Sequence, residues 1–329
     1  MKIIPDKARF AKKVAEDNGY QFEFLDKGEN CLFKISNTKT SFVAGGGSVA
    51  SYPLNNEVSA SIARDKIFTN HILDHAGVSN LGGKCFFLCP DGRALRGEGH
   101  ETKDAFAYID EIKKPIFCKP LKGSLGTFAE LVRDAEELEH YIDRCSKKFD
   151  AIVIQEYFEG TEYRVFMLGQ EPVFCFKKGH VELRGNGKDK IEDLLEELNL
   201  NLRSKGISPY SSNTIVTNSS GEEIKQMKIP KLGEQLFITG RKNLSSGATP
   251  ILLDSIPEIL SDLALKAHKA LGLEISGIDF MCTEENGEIL EARVIEVNSN
   301  PMMTSLETLN RWDLIEKIWL YVIEKCLKN

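Results

Sequence analysis

The chain has 329 residues, enough for two or three domains that each bury a core. Hydrophobic residues make up 42% and charged residues 28%, the balance of a globular protein rather than a disordered or fibrous one. A net charge of −7 argues against binding nucleic acid over the whole surface and leaves at most a local basic cleft. No apolar run is long enough to span a bilayer, and the start, MKIIPDKARF, lacks the apolar core of a signal peptide.

Residues 1–50 mix short helical and strand patterns and end in the loop AGGGS at 44–48. The stretch SASIARDKIFTNHILDHA (59–76) reads as one helix: Phe68, Ile72 and Ala76 step by four, Leu73 lies alongside, and Gly77 is a stop signal. HETKDAFAYIDEI (100–112) reads as a second helix, and Pro115 opens the strand IFCKP. The helix DAEELEHYIDRC (134–145) and the strand AIVIQEYF (151–158) follow. YRVFMLG and PVFCFKK pair as a hairpin across the turn Gln170–Glu171–Pro172.

IEDLLEELN is helical, 203–230 is an excursion of weak periodicity, and QLFITG (235–240) is a strand. Leu260, Leu263, Ala264, Ala267 and Leu271 form one helix face. EISGIDFM and RVIEVN are strands separated by the acidic turn TEENGE. The closing helix (308–328) carries Trp312, Ile315, Trp319, Val322 and Cys326 at three-four spacing, a face that can pack on its own domain or on a second copy in a homodimer. Helices interleave with strands joined by hairpins, which predicts an α+β fold with helices on antiparallel sheets.

Eight cysteines include no Cys-x-x-Cys pair, which disfavours a zinc ribbon or a redox motif. Cys85 and Cys89 in CFFLC would share a strand face, and most of the others lie in apolar runs, as buried reduced thiols of a cytoplasmic protein do.

Four segments carry chemistry. In GIDFMCTEENGEILEARVIEVNSNP (277–301), Asp279 lies in one strand, and Glu296 and Asn298 share a face of the other. Three oxygen ligands converging there suit Mg²⁺. The alternative is a hairpin with solvated polar residues, which the apolar flanks make less attractive. Lys119 ends the strand PIFCKP, where it can project into a cleft toward phosphate. The loop Lys122-Gly123-Ser124-Leu125-Gly126-Thr127 after it can lay N–H groups on phosphates, or be a plain turn.

IVIQEYFEGTEYRV can be an inter-domain hinge whose backbone meets an adenine edge, with Glu162 toward ribose and Arg164 on the same face; a turn plus a surface ion pair is the alternative. Finally, Arg241, Asn243 and Ser245–Gly247 gather donors able to stabilise a developing oxyanion, or form an ordinary loop.

In this order the segments resemble the ATP-grasp superfamily, above all the ligase domains of cyanophycin synthetase and of bifunctional glutathione synthetases. The resemblance rests on 62–78, 115–128, 152–168, 185–199, 241–250, 277–281 and 294–303, and covers roughly 50–305. It implies an ATP-grasp fold of two α+β subdomains gripping ATP, at 61–155 and 156–329, after a short N-terminal region, 1–60.

The resemblance also implies an ADP-forming carbon-nitrogen ligase. Such an enzyme joins the carboxylate and amine of amino acids or peptides through an acyl-phosphate, with ATP and Mg²⁺ (or Mn²⁺). Lys66 and Lys119 would contact phosphates, and Lys122, Gly123, Ser124 and Gly126 would close over them. Gln155, Glu156, Tyr157 and Phe158 would line the adenine pocket, and Glu162 would hold ribose. Asp279, Glu296 and Asn298 would hold the metal, Arg241 would steady the acyl-phosphate, and Asn300 would sit near the substrate. Lys178 stands where these relatives usually carry an arginine. The rival expectations are a small-molecule kinase on the same fold and a non-catalytic nucleotide-binding module.

Overall fold

A computed structural model of the protein describes residues 4–47, 50, 52–123, 126–204, 209–210, 214–238 and 248–328. Helix α1 (Asp6–Asp17) is followed by β1 (Gln21–Phe24), β2 (Leu32–Ser36) and β3 (Ser41–Gly45), an antiparallel sheet in the order β1-β2-β3.

The helix expected over 59–76 is two helices, α2 (Glu57–Arg64) and α3 (Lys66–His75). Asp65 adopts an extended backbone between them, and its carboxylate accepts from the N–H groups of Ile67 (3.0 Å) and Phe68 (3.1 Å). An N-cap of this kind satisfies donors that a helix start leaves open, so the chain stops and restarts at Asp65. The break also breaks the expected apolar stripe: Leu73 is buried, but Phe68 is 59% exposed.

β4 (Lys84–Phe87), α4 (Thr102–Glu111), β5 (Ile116–Pro120), β6 (Glu130–Val132), α5 (Ala135–Ser146) and β7 (Ala151–Glu156) build a four-stranded sheet in the order β4-β7-β5-β6. Ile109, Leu138 and Tyr141 of the helices share one core with Ile116, Cys118, Ile152 and Ile154 of the strands. Cys89 lies beyond the end of β4, so it does not share a strand face with Cys85; all eight thiols are free.

The third sheet takes β8 (Thr161–Leu168), β9 (Glu171–Arg184), β10 (Val216–Thr217), β11 (Gln235–Ile238), β12 (Ala248–Leu252), β13 (Ile275–Glu285) and β14 (Glu288–Asn298). Its order is β10-β11-β9-β8-β13-β14, with β12 also on β9. Helix α6 (Ile191–Ser204) lies between β9 and β10, and α7 (Glu258–Leu271) between β12 and β13. The β13–β14 turn is shorter than expected. Both strands run into the acidic segment, and only Asn286 (φ 52) and Gly287 (φ 85) remain, the two-residue turn that Asn-Gly favours.

Alternation along β8 decides what each face meets. Val165 and Met167 pack with Ala264 and Ala267 of α7, whereas Phe166 and Leu168 join the core of the final helix. After α8 (Thr304–Thr308), that helix, α9 (Trp312–Lys328), buries Ile315, Trp319 and Val322 against its own chain. The rings of Phe33 and Tyr52 lie 6.2 and 5.8 Å from Trp319, so the N-terminal segment is built into this core. Among the described residues no helix is long and apolar enough to cross a membrane.

Candidate active site between the sheets

The register of β8, β13 and β14 assembles a charged cluster. Asp279 stands opposite Arg164 on one side and Glu296 on the other, and Asn298 is opposite Gly277. Directly paired residues of antiparallel strands project from the same face. Arg164 therefore meets Asp279 with two N–H groups, Nε–Oδ1 at 2.5 Å and Nη2–Oδ2 at 2.6 Å. Lys178 of β9 donates to Glu162 at 2.6 Å and to Asp279 Oδ2 at 3.4 Å.

Asp279 and Lys178 are buried, and burial alone would drive the Asp279 carboxyl pKa up. Arg164 and Lys178 outweigh that and hold it below the usual carboxylate range. Burial likewise works against the Lys178 ammonium, but Asp279 and Glu162 prevail and its pKa is raised. Asn298 Nδ2 donates to Glu296 Oε1 at 3.2 Å. Two carboxylates and an amide oxygen are hard donors, which fit Mg²⁺ with phosphate oxygens completing the shell. Among the described residues no three His, Cys, Asp or Glu side chains gather as a metal cage. Glu296 and Asn298 face the cleft, while Asp279 is held by two cations beside it.

That cleft, of about 940 Å³, is lined by Lys66, Lys122, Gly123, Glu296, Asn298 and Asn300 among others. Lys66 opens α3, where the Asp65 cap places it, and its Nζ reaches the carbonyls of Leu121 (3.3 Å) and Gly123 (3.2 Å). Lys119, on β5, is buried; burial pushes its pKa down to about 8, Lys66 adds to this, and Glu296 and Glu162 oppose it. The two lysines and Glu296 thus come from three elements and meet electrostatically. Gly126 takes a left-handed backbone (φ 63). Ser124, in the same loop, and Arg241 lie outside the described residues.

A second cleft of about 230 Å³ contains all four of Gln155, Glu156, Tyr157 and Phe158, with Leu81, Gly83, Tyr108, Ile112 and Arg293 completing the wall. Gln155 is 2% exposed, and its Oε1 has no hydrogen-bond partner among the described residues. A buried acceptor without a donor is costly, so this oxygen suits a ligand N–H. Arg293 stacks on Phe158, 4.6 Å from the ring centre. Residues 157–160 then cross from β7 of one sheet to β8 of the other. Gly160 lies against the Cys282 backbone so closely that a Cβ would stand 2.4 Å from its carbonyl oxygen. Glu162, expected toward ribose, is paired with Lys178.

Asn300 accepts from Lys7 at 2.9 Å and donates to the Gly47 carbonyl at 3.0 Å. Sequence reasoning missed Lys7, Arg64, Tyr108 and Arg293. Lys7 had a signal, a lysine on the same α1 face as buried Phe10, Ala11 and Val14. The others are ordinary surface residues until the sheets bring them to a cleft wall.

Residues 239–322 match the RimK-like ATP-grasp domain. The chain is 24% identical over 300 residues to the glutathione biosynthesis bifunctional protein GshAB of Desulfotalea psychrophila, covering 86% of this chain and 36% of that protein. It is 25% identical over 256 residues to the cyanophycin synthetase of Trichormus variabilis, covering 74% of this chain and 27% of that protein. The chain therefore spans about a third of the length of these relatives. Among solved structures it resembles a bifunctional glutathione synthetase from Pasteurella multocida, with a TM-score of 0.53 at 18% identity, over 91% of this chain and 41% of that one. The expected α+β architecture is borne out: the fold is like that of a solved ATP-grasp structure, and residues 239–322 match the RimK-like ATP-grasp domain.

Proposed function

We propose that this protein is an ATP-dependent carboxylate-amine ligase. It would form an amide or peptide bond between amino acids or peptides through an acyl-phosphate and release ADP and phosphate. One observation carries the reading: Lys66 and Glu296 line one cleft, and buried Lys119, from a third element, lies within electrostatic reach of both. The similarity to GshAB and cyanophycin synthetase supports it.

A carboxylate resists attack by an amine near neutral pH, and phosphorylation removes that resistance. A carboxylate oxygen would attack the γ-phosphorus of ATP, and the bond to the β-phosphate oxygen breaks as ADP leaves. Lys66 and Lys119 would neutralise the charge on the phosphates. The amine nitrogen would then attack the acyl carbon, the bond to phosphate breaks, and the amine gives up a proton.

Gln155 to Phe158 would seat the adenine, and Glu162 would turn from Lys178 toward ribose. Arg241 and Lys178 would steady the transferred phosphoryl group. Loop 122–127, with Gly123, Ser124 and Gly126, would keep water from the intermediate. Asp279, Glu296 and Asn298 would hold Mg²⁺, which neutralises phosphate charge when bound. Asn300 would face the substrate.

The division at 61–155 and 156–329 is drawn from strands β4–β7 and β8–β14, which lie in separate sheets, with 1–60 as the short N-terminal region. Free thiols and a need for ATP fit the cytoplasm.

The test is phosphate release from ATP and Mg²⁺ across pairs of amino acids and peptides, with mass spectrometry of the products. Release that requires both a carboxylate and an amine, and that is lost in Glu296→Gln and Lys119→Met, is the expected result. A stable phosphorylated product with no amine requirement would reveal a kinase. ATP binding without turnover would reveal a binding module.

A further inference from the structure

Lys7 has no part in the chemistry above. It lies on the buried face of α1 and is 9% exposed. Its Nζ donates to the Ala50 carbonyl at 2.7 Å and to Asn300 Oδ1 at 2.9 Å, and stands 4.4 Å from the centre of the Tyr52 ring. Among the described residues no carboxylate pairs with it, and neighbouring Asp6 is taken by Arg9 and Thr304. Burial pushes the Lys7 pKa down to about 7. An ammonium withdrawn from water without a counter-charge is costly, so its retention points to a charge supplied from outside the chain.

Both oxygens that accept from Lys7 belong to residues lining the large cleft. The arginine on that wall, Arg64, already bonds Glu57 at 2.6 Å. Nζ has three donors, and two are used by these oxygens, which leaves one for a ligand. A single donor on a single positive charge matches a carboxylate better than a phosphate group. Asn300 follows Glu296 by four residues, at most roughly 14 Å of extended chain. An amino acid or dipeptide spans that distance, with its reacting group near Glu296 and a second anionic group near Asn300.

We propose that Lys7 is the cationic anchor for a non-reacting carboxylate of an amino-acid or peptide substrate, supplied to the cleft by the short N-terminal region. The proposal rests on the ligase reading for the word substrate, but its test needs neither ATP nor turnover. Such a carboxylate can belong to the acid or to the amine partner. The cleft then selects substrates that carry a carboxylate besides any that reacts.

Succinate and glutarate serve as probes, with their diamides as controls. Binding is read by calorimetry, and Lys7 by NMR of the ¹³C-labelled lysine Cε. Glutarate or succinate is expected to bind wild type at least tenfold tighter than Lys7→Met, with Lys7→Arg between them. The same probe should raise the Lys7 pKa, and the diamides should leave it unmoved. Equal binding to wild type and Lys7→Met, no binding of either dicarboxylate to wild type, or an unmoved Lys7 titration would each overturn the proposal. Lys7→Met keeps an apolar stem, and its far-ultraviolet circular dichroism checks the fold. Once a substrate pair is known, a raised KM for only the acid or only the amine in Lys7→Arg identifies the partner that carries the anchored group.

Discussion

Arg164 and Asp279 form a two-pronged ion pair across neighbouring strands, with Arg164 Nη2 2.6 Å from Asp279 Oδ2. The pair is where the charged cluster and the hydrophobic sheet meet. Phe166 lies two residues beyond Arg164, and Ile278 and Phe280 flank Asp279. Removing one partner leaves a buried charge short of compensation. Arg164→Met is expected to lower stability by about 3–5 kcal/mol, less whatever Lys178 recovers. Arg164→Lys should recover only part of it, because an ammonium cannot reproduce the fork. Urea denaturation measures both, and an Arg164→Met protein as stable as wild type would contradict the burial argument.

Asp65 caps α3 and thereby places Lys66. Asp65→Ala is expected to cost about 1 kcal/mol of stability. It should also raise the KM for ATP, whereas Asp65→Asn or Asp65→Ser, which still cap, should restore both. Thermal melts and phosphate-release kinetics separate the two effects.

Gln155 Oε1 is a buried acceptor without a donor. Gln155→Met removes that unmet acceptor and should leave the nucleotide-free protein at least as stable as before. Affinity for ATP should fall about tenfold, which corresponds to about 1.4 kcal/mol. Tighter ATP binding by the variant would show that this oxygen does not meet the nucleotide.

Lys7 makes stability depend on pH. Its pKa is lowered from 10.5 to about 7 in the folded protein, so the unfolded chain binds more protons between those values. The cost of burying the charge is thus complete below about pH 7 and shrinks as pH rises toward 10.5. Lys7→Met should stabilise the protein most below pH 7, with the advantage fading in alkali. Denaturation midpoints at pH 6 and pH 10 check this, and a constant difference between variant and wild type would count against it.

Much of the fold was legible because local signals agreed with packing. The α7 face named from spacing includes Leu260, Ala264, Ala267 and Leu271, all buried. Trp319 and Val322 likewise face the core of α9. The misread elements were those where a polar side chain competes with a periodic pattern. Asp65 splits a helix that apolar spacing joined, because its carboxylate takes the N–H groups that a continuous helix would leave to carbonyls.

By itself the sequence determined the order of elements, the α+β class, and which residues lie at strand ends: Lys119, the paired Glu296 and Asn298, and the Gln155–Phe158 run. These follow from local periodicity and spacing. Tertiary structure alone decided which of those residues meet. Strand register set Asp279 between Arg164 and Glu296, and the docking of α1 brought Lys7 to Asn300, 293 positions away. Such contacts depend on how sheets and helices pack at long sequence separation, and no local pattern along the chain encodes that distance.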